Sequence, residues 1–344
     1  MPNNNNNDNN THLRNKIDFM LFISVTNANC NGDPLNGNRP RTNYDGYGEI
    51  SDVCIKRKIR NRMQDLGNEI FVQSEDRATD GATSLSKRFE IFKNKLNKEF
   101  KEKLEKELNE TPKESKEKLK ELNEKLKQGI SKDELSRTIC EKWLDVRTFG
   151  QVFAFESKKS SSKNDKGEDK GVSIGIRGPV SIHIANSIDS VEISSMQITK
   201  SVNGEDNTNS KKSSDTMGMK HFVRYGLYQI KGSINVQLAE KTGFTDADAE
   251  TLKQCLKTLF INDESSARPA GSMEVEKIYW WKHNCKTGQY STAEVHRSVT
   301  VERKDKEKIP TSFDDYNITG GKLSNSKPEN ILEPEIIESS DCNK

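Results

Sequence analysis

The chain has 344 residues, of which 31% are hydrophobic and 31% charged, with a formal net charge of +2 and a mean hydropathy of −0.89. That balance is lean for one compact globule and predicts substantial surface, insertion or tail around one large or two ordinary domains. No apolar run approaches the roughly 20 residues of a bilayer span, and the cysteines at 30, 54, 140, 255, 285 and 342 lie too far apart for a CxxC-type clip.

A reduced, cytoplasmic chain without a metal or cofactor is therefore expected. The five histidines are scattered, and no HExxH, Walker loop or GxGxxG is present. The head, MPNNNNNDNN, has neither a basic n-region nor an apolar h-region, so residues 1–15 are expected as a disordered Asn-rich tail.

Ile17 to Val25, IDFMLFISV, is an apolar run of strand length. The polar turn-forming loop Asn31–Arg41, NGDPLNGNRPR, follows and brings Arg39 and Arg41. Ser51 is a plausible N-cap for a helix in which Ile55, Ile59, Met63 and Leu66 make one apolar stripe. Five of the seven residues from Lys56 to Arg62 are basic. Lys56, Arg57 and Arg60 fall opposite the stripe, whereas Arg62 lies near it and is suited to snorkelling. Such a run is either a solvated face or a phosphate-binding one.

Residues 85–144 are Lys/Glu-rich with apolar residues at helical spacing, which predicts a helical insertion: a hairpin plus one helix. A capping box is expected at Thr111-Pro-Lys-Glu114 and a further helix start at Ser131. Strand signals return at Thr148–Phe155. A mobile loop is expected over 157–171. Val172 to Ile184 alternates across Gly178-Pro179, with His183 facing solvent, and Val191 to Val202 alternates more weakly. Residues 203–216 read as the polar tip of an excursion, followed by a strand region from Gly226 to Leu238. Thr245 caps an amphipathic helix, and Glu274–Lys282 and Glu294–Val301 are the last strands. Without its insertions the order is strand, helix, strands, helix, strand. It fits an α+β, ferredoxin-like or RRM-like βαββαβ core, whose sheet face would sit beside loops able to take single-stranded RNA.

NGDPLNGNRPRT followed by GEISDVCIKRKIRNRM (31–63) resembles the crRNA-binding backbone subunit of type I-C CRISPR Cascade complexes. The likeness continues through CEKWLDVRTFG (140–150), SIGIRGPVSIHIANSID (173–189), MGMKHFVRYGLYQIKGSINVQLAEKTGF (217–244) and SARPAGSMEVEKIYWWKHN (266–284). Ala28, Cys30 and Arg224 depart from the residues usual in that family. The resemblance implies an RRM-like palm over 16–304, helical fingers at 85–144 and a β-hairpin thumb at 198–221; it does not reach the last forty residues, whose Asn, Ser, Glu and Pro content leaves 305–344 expected as a mostly irregular tail. It also implies a non-catalytic protein that polymerises along crRNA and presents the guide to target DNA. Its partners would be crRNA, target DNA through the guide, copies of itself and other Cascade subunits, with no membrane.

A backbone subunit must grip phosphate and ribose whatever the guide sequence. Arg39, Lys56, Arg57 and Arg60 suit that task best; Arg41, Lys58, Lys220 and His221 are further candidates. Met217 and Met219 are either a wedge between bases or simple packing, and Arg177 is either structural or an RNA contact. The competing reading, a metal-dependent endoribonuclease, would use Asp33. Yet Asp33-Pro34 also reads as turn chemistry, and no second catalytic acid is evident.

Overall fold

The computed structural model of the protein describes residues 12–111, 116–154, 173–199, 217–324 and 330–342. After β1 (Ile17–Ala28), the polar loop makes a small hairpin of β2 (Gly32–Asp33) and β3 (Arg39–Pro40), and β4 (Tyr47–Ile50) leads into α1 (Asp52–Asp65). The helices α2 (Leu85–Glu110), α3 (Lys116–Gln128), α4 (Lys132–Lys142) and α5 (Leu144–Phe149) follow. Six strands come next: β5 (Gly150–Ala154), β6 (Ser173–Arg177), β7 (Val180–Ile182), β8 (Ala185–Ser190), β9 (Ile193–Thr199) and β10 (Met217–Ile234). The chain continues through α6 (Val236–Thr242), α7 (Asp246–Lys257), β11 (Met273–Lys282) and α8 (Thr292–Arg297). It closes with β12 (Val299–Arg303), β13 (Tyr316–Gly320) and β14 (Glu335–Glu338). Two compact units result, one mainly from 63–179 and 237–248, the other from 14–62, 180–236 and 249–344.

The second unit is organised on β1. Its backbone pairs antiparallel with β10 on one side, Ile17 opposite Ile234 through Ala28 opposite Val223, and with β11 on the other. The sheet order is β14-β11-β1-β10-β8-β4, with β7 and β9 also pairing with β10. Successive strand residues point to opposite faces, and here both faces are apolar and buried: Phe19, Leu21 and Ile23 on one, Met20 and Phe22 on the other. Each such side chain contributes about 1.5–3 kcal/mol by leaving water.

The Met20–Phe22 face continues into Leu227, Tyr279 and Trp281 and is covered by Val295 of α8, Val299 of β12 and Tyr316 of β13. The Trp281 indole N–H donates to Gly321 O at 2.7 Å beneath this cover. That sheet face is therefore covered by packed side chains. Its residues are too apolar to face water or a charged backbone.

Several boundaries differ from expectation. Thr148 and Phe149 end α5 rather than begin a strand, and Val236 starts α6 rather than ending one. Residues 294–297 belong to α8, whose start is fixed by a Ser291/Glu294 capping box within an apparent strand signal. The 305–344 segment, expected to be mostly irregular, supplies β13 against β12 and β14 against β11. The expected capping box at 111–114, the 157–171 loop, most of the 198–221 excursion and most of the N-terminal tail lie outside the described residues.

The first unit packs α2, α4 and α5 around Phe71, Phe89, Leu135, Ile139, Trp143, Val146 and Phe153. The fully buried Asp145 carboxylate accepts the N–H groups of Phe71 (2.6 Å) and Val72 (3.0 Å), tying the 66–80 loop to α5. No helix among the described residues is long and apolar enough to cross a membrane.

A polar knot sits at the start of β1. Asp18, fully buried, meets His283 Nε2 at 2.9 Å, Lys16 Nζ at 3.0 Å and the Thr292 hydroxyl at 2.9 Å. Burial pushes its carboxyl up, but the His283 hydrogen bond and the Lys16 charge outweigh burial and hold it below the ordinary range. Nearby, burial pushes His296 below its ordinary value, helped by Lys231 and His183 and opposed by Asp18. A histidine whose folded-state pKa is depressed stabilises the fold fully above the unfolded value, about 6.5, and loses that contribution as pH falls. The urea midpoint should drop between about pH 7.5 and pH 5.5, and His296→Gln should flatten that drop; an unchanged slope in the variant would show another group responsible.

Candidate nucleic-acid interface

The loop after β1 is held in one shape by its own residues. Asp33 accepts the N–H of Leu35 at 3.2 Å and pairs with Arg41 at 3.3 Å, and Asn38 N–H returns to Asp33 O at 2.8 Å. Gly37 and Asn38 both take positive φ, +57° and +59°, which closes the β2–β3 hairpin. Asn31 Oδ1 accepts the N–H of Ser51, and Ser51 Oγ caps α1 through Cys54 N–H. Loop and helix start are thus a single hydrogen-bonded piece. Gly48 brings β4 against the buried Tyr228, where an added Cβ would meet the phenol oxygen at 2.2 Å. Cys30, one of the family departures, donates its thiol to that same oxygen at 3.6 Å, and burial pushes the thiol up to about 11. It is a packing residue.

The hairpin carries Arg39 to the β9–β10 ladder. Arg39 Nη1 donates to Ser195 Oγ at 3.0 Å and lies 3.5 Å from His221 Nδ1, while Ser195 Oγ and His221 Nδ1 are 2.8 Å apart. This guanidinium thus meets a hydroxyl and an imidazole ring. His221 is opposite Ser195 in the ladder, Met219 opposite Gln197 and Met217 opposite Thr199. Alternate residues of β10 share a face, so Met217, Met219 and His221 lie on one side of the ladder. The methionines are 60% and 55% exposed, and Met217 Sδ accepts from Gln197 Nε2.

Lys220, adjacent to His221, occupies the other face of the ladder, so the two cannot line the same surface. Arg224 sits with Lys220 on that other face and pairs with Glu192 at 3.0 Å.

The basic run on α1 divides by function. Ile55, Ile59 and Met63 are buried as the stripe predicts, whereas Leu66 is 39% exposed, just past the helix end. Lys56 is half-buried and pairs with Asp52 at 2.9 Å, one turn earlier. Arg57 donates to Asn61 at 3.3 Å, and Arg60 is half-buried. Arg62 Nε donates to the buried Thr258 Oγ1 at 2.7 Å, so its head group is held by the protein rather than carried out to water.

Lys58 is a correction. It is 5% exposed, ion-paired with Asp263 and 5.5 Å above the Phe260 ring, so its ammonium is consumed inside the protein. Helical geometry places it beside Ile55 and Ile59 rather than opposite them. Asp263 also holds Arg268 at 3.1 Å. Ser195 stands in no charge run or motif, and Arg268, although inside the 266–284 block, stands in no charge run that would single it out.

Asp33 is likewise committed to turn and ion-pair chemistry. Among the described residues no group of three or more His, Cys, Asp or Glu side chains is placed to hold a metal. Arg177 ends β6 in the other unit, exposed.

The family model for CRISPR-associated protein Cas7 matches residues 15–320. The chain belongs to the Cas7 family. A CRISPR-associated protein Cas7 from Haloferax volcanii is 25% identical over 269 residues, spanning 75% of this chain and 67% of the relative. Among solved structures, a chain of a "CRISPR RNA-guided surveillance complex, pre-nicking" aligns at TM-score 0.44 and 15% identity, covering 77% of this chain and 78% of its own. A chain of another "CRISPR RNA-guided surveillance complex" aligns at TM-score 0.37 and 14% identity, covering 77% and 68%. For this Cas7-family chain, the residue matches of 31–63 and 217–244 fall on the two elements that Arg39 joins.

Removing one partner of a buried ion pair leaves the other charge stranded, at about 3–5 kcal/mol. Lys58→Ala should therefore lower the unfolding free energy by roughly 3 kcal/mol. The double variant Lys58→Met with Asp263→Leu should recover most of it. Chemical denaturation reads both; a Lys58→Ala protein of unchanged stability would restore Lys58 as a ligand candidate.

Proposed function

We propose that this chain is a non-catalytic backbone subunit of a type I CRISPR surveillance (Cascade) complex, of the I-C kind by its sequence blocks. Copies of it would polymerise along crRNA and present the guide for pairing with target DNA, alongside other Cascade subunits in the cytoplasm. The observation that carries the reading is the Arg39–Ser195–His221 junction. It sets a guanidinium against a hydroxyl and an imidazole of the strand pair that also carries two exposed methionines, and α1, which follows the same loop, adds Lys56, Arg57 and Arg60.

Such a surface suits a sugar–phosphate backbone. Guanidinium forks grip phosphate oxygens whatever the base, and a thioether can wedge against a base face without reading its edge. Sequence-independent contact is what a guide holder needs. Membership in the Cas7 family supports the same assignment.

The order β11-β1-β10-β8, antiparallel throughout, with α1 following β1 and α7 preceding β11, supports an RRM-like palm. The 85–144 helices would be the fingers. The β9–β10 ladder would be the base of the thumb, with Met217 and Met219 as its wedge. Arg41 is retained as a supporting contact; Lys220 would serve the opposite side of the hairpin.

Lys56→Glu with Arg57→Glu, and separately Arg39→Ala, should weaken crRNA binding equally across unrelated guide sequences. Each lost phosphate contact should reduce the slope of log K against log salt by about 0.7. Filter binding at several salt concentrations measures both. Folded variants with unchanged affinity and slope would remove this surface as the guide site.

A further inference from the structure

The C-terminal part of β10 holds a group of polar side chains that the Arg39 junction does not use. Ser233 is opposite Ser181 in the β7–β10 pairing, and His183 N–H donates to Lys231 O at 2.9 Å, which sets His183 opposite Lys231. Alternate strand residues share a face, so Ser181, His183, Lys231 and Ser233 lie together. Lys231 is also opposite Met20, and Ser233 opposite Asp18, which puts the four at the margin of the Met20–Phe22 face. Lys231 is ten residues along β10 from His221, roughly 33 Å at about 3.3 Å per residue.

Lys231 is unusual among the cations of this unit. It is half-buried, yet no carboxylate among the described residues pairs with it, and burial alone pushes its ammonium below the ordinary lysine range. Its charge also works against protonation of His296. The acid across from Ser233, Asp18, is already answered by Lys16 at 3.0 Å and His283 at 2.9 Å. A desolvated cation without a counterion costs free energy. Packing alone gives no reason to keep one here.

The groups around it are donors, and they can be reached from solvent. His183 is exposed, its ring edge-on to His296 at 6.1 Å between centroids. The Ser181 and Ser233 hydroxyls are 3.0 Å apart, the first residue exposed and the second half-buried. One hydroxyl donates to the other, which leaves the second hydroxyl's proton to donate outward.

We propose that Lys231, His183 and the Ser181–Ser233 pair bind a terminal phosphate, either free or as a monoester. The ammonium would supply charge, and the imidazole N–H and the outward hydroxyl would each meet a phosphate oxygen. A monoester carries close to two negative charges at pH 7, against one for a phosphodiester, so the uncompensated ammonium favours it. A strand end and a small phosphorylated compound present the same group. The site does not rest on the guide-binding reading, and its test needs no crRNA.

The five histidines give separate ring signals in a long-range ¹H–¹⁵N spectrum of the full-length protein. His183→Gln assigns one of them, and His221→Gln assigns the reporter of the Arg39 junction. Inorganic phosphate should move the His183 signal, whatever His221 does. Lys231→Met should raise the concentration required at least tenfold, as loss of one charged hydrogen bond does, and Ser181→Ala should raise it severalfold. Without phosphate, the urea midpoint of Lys231→Met should equal or exceed the parent's, because methionine keeps the packed stem and removes the unpaired charge. Added phosphate should then raise the parent's midpoint more than the variant's. A 5′-phosphorylated oligoribonucleotide acting below the concentration of inorganic phosphate assigns the site to a strand end. The reverse order assigns it to small phosphate compounds. No His183 movement with either ligand, equal movement in Lys231→Met, or equal movement with the unphosphorylated oligoribonucleotide would overturn the proposal.

Discussion

The double burial of β1 is the constraint on which the second unit depends. A strand with apolar residues on both faces needs a packed layer above and below. Its two edges also need partners for every backbone N–H and C=O, since an unpaired buried peptide group costs about as much as a lost hydrogen bond. Here β10 and β11 satisfy the edges, while α8, β12 and β13 cover one face. Because β1 is pinned on all sides, the loop leaving its end emerges at one fixed place, against the β9–β10 ladder.

From that point the site is a consequence of local chemistry. Asp33, Gly37, Asn38 and Asn31 fold the loop onto itself and onto the first turn of α1. Arg39 is delivered to Ser195 and His221 without a carboxylate among its recorded partners. The nearby acids are spent elsewhere: Asp33 on Arg41, Asp52 on Lys56, and Asp263 on Lys58 and Arg268. That allocation, more than the density of basic residues, decides which cations are paired within the protein.

Much of the fold was legible because its signals are local. The β1 run, the Ile55–Ile59–Met63 stripe, the helices of 85–144 and the Thr245-capped helix α7 follow from periodicity and caps. The misreadings share one cause. At 148–149, 236 and 294–298, apolar residues recur at spacings that suit either a strand end or a helix start. Only the neighbours decide between them, as the Ser291/Glu294 box does for α8. The strands β13 and β14 lay hidden because short edge strands carry little hydrophobic signal of their own.

Residue identity by itself determined the charge run, the turn chemistry of the loop, the first strand with the helix that follows it, and the motif blocks that carry the family resemblance. All of these are written in residues close together along the chain. Tertiary structure alone decided that Lys58 is buried on Asp263, that Lys220 and His221 face opposite ways, and that the Met20–Phe22 face of the sheet is covered. It also joined Arg39 to residues 156 and 182 positions away. The reason is physical. A cation's availability depends on which acid reaches it and how much water remains around it, and both are set by segments distant in sequence.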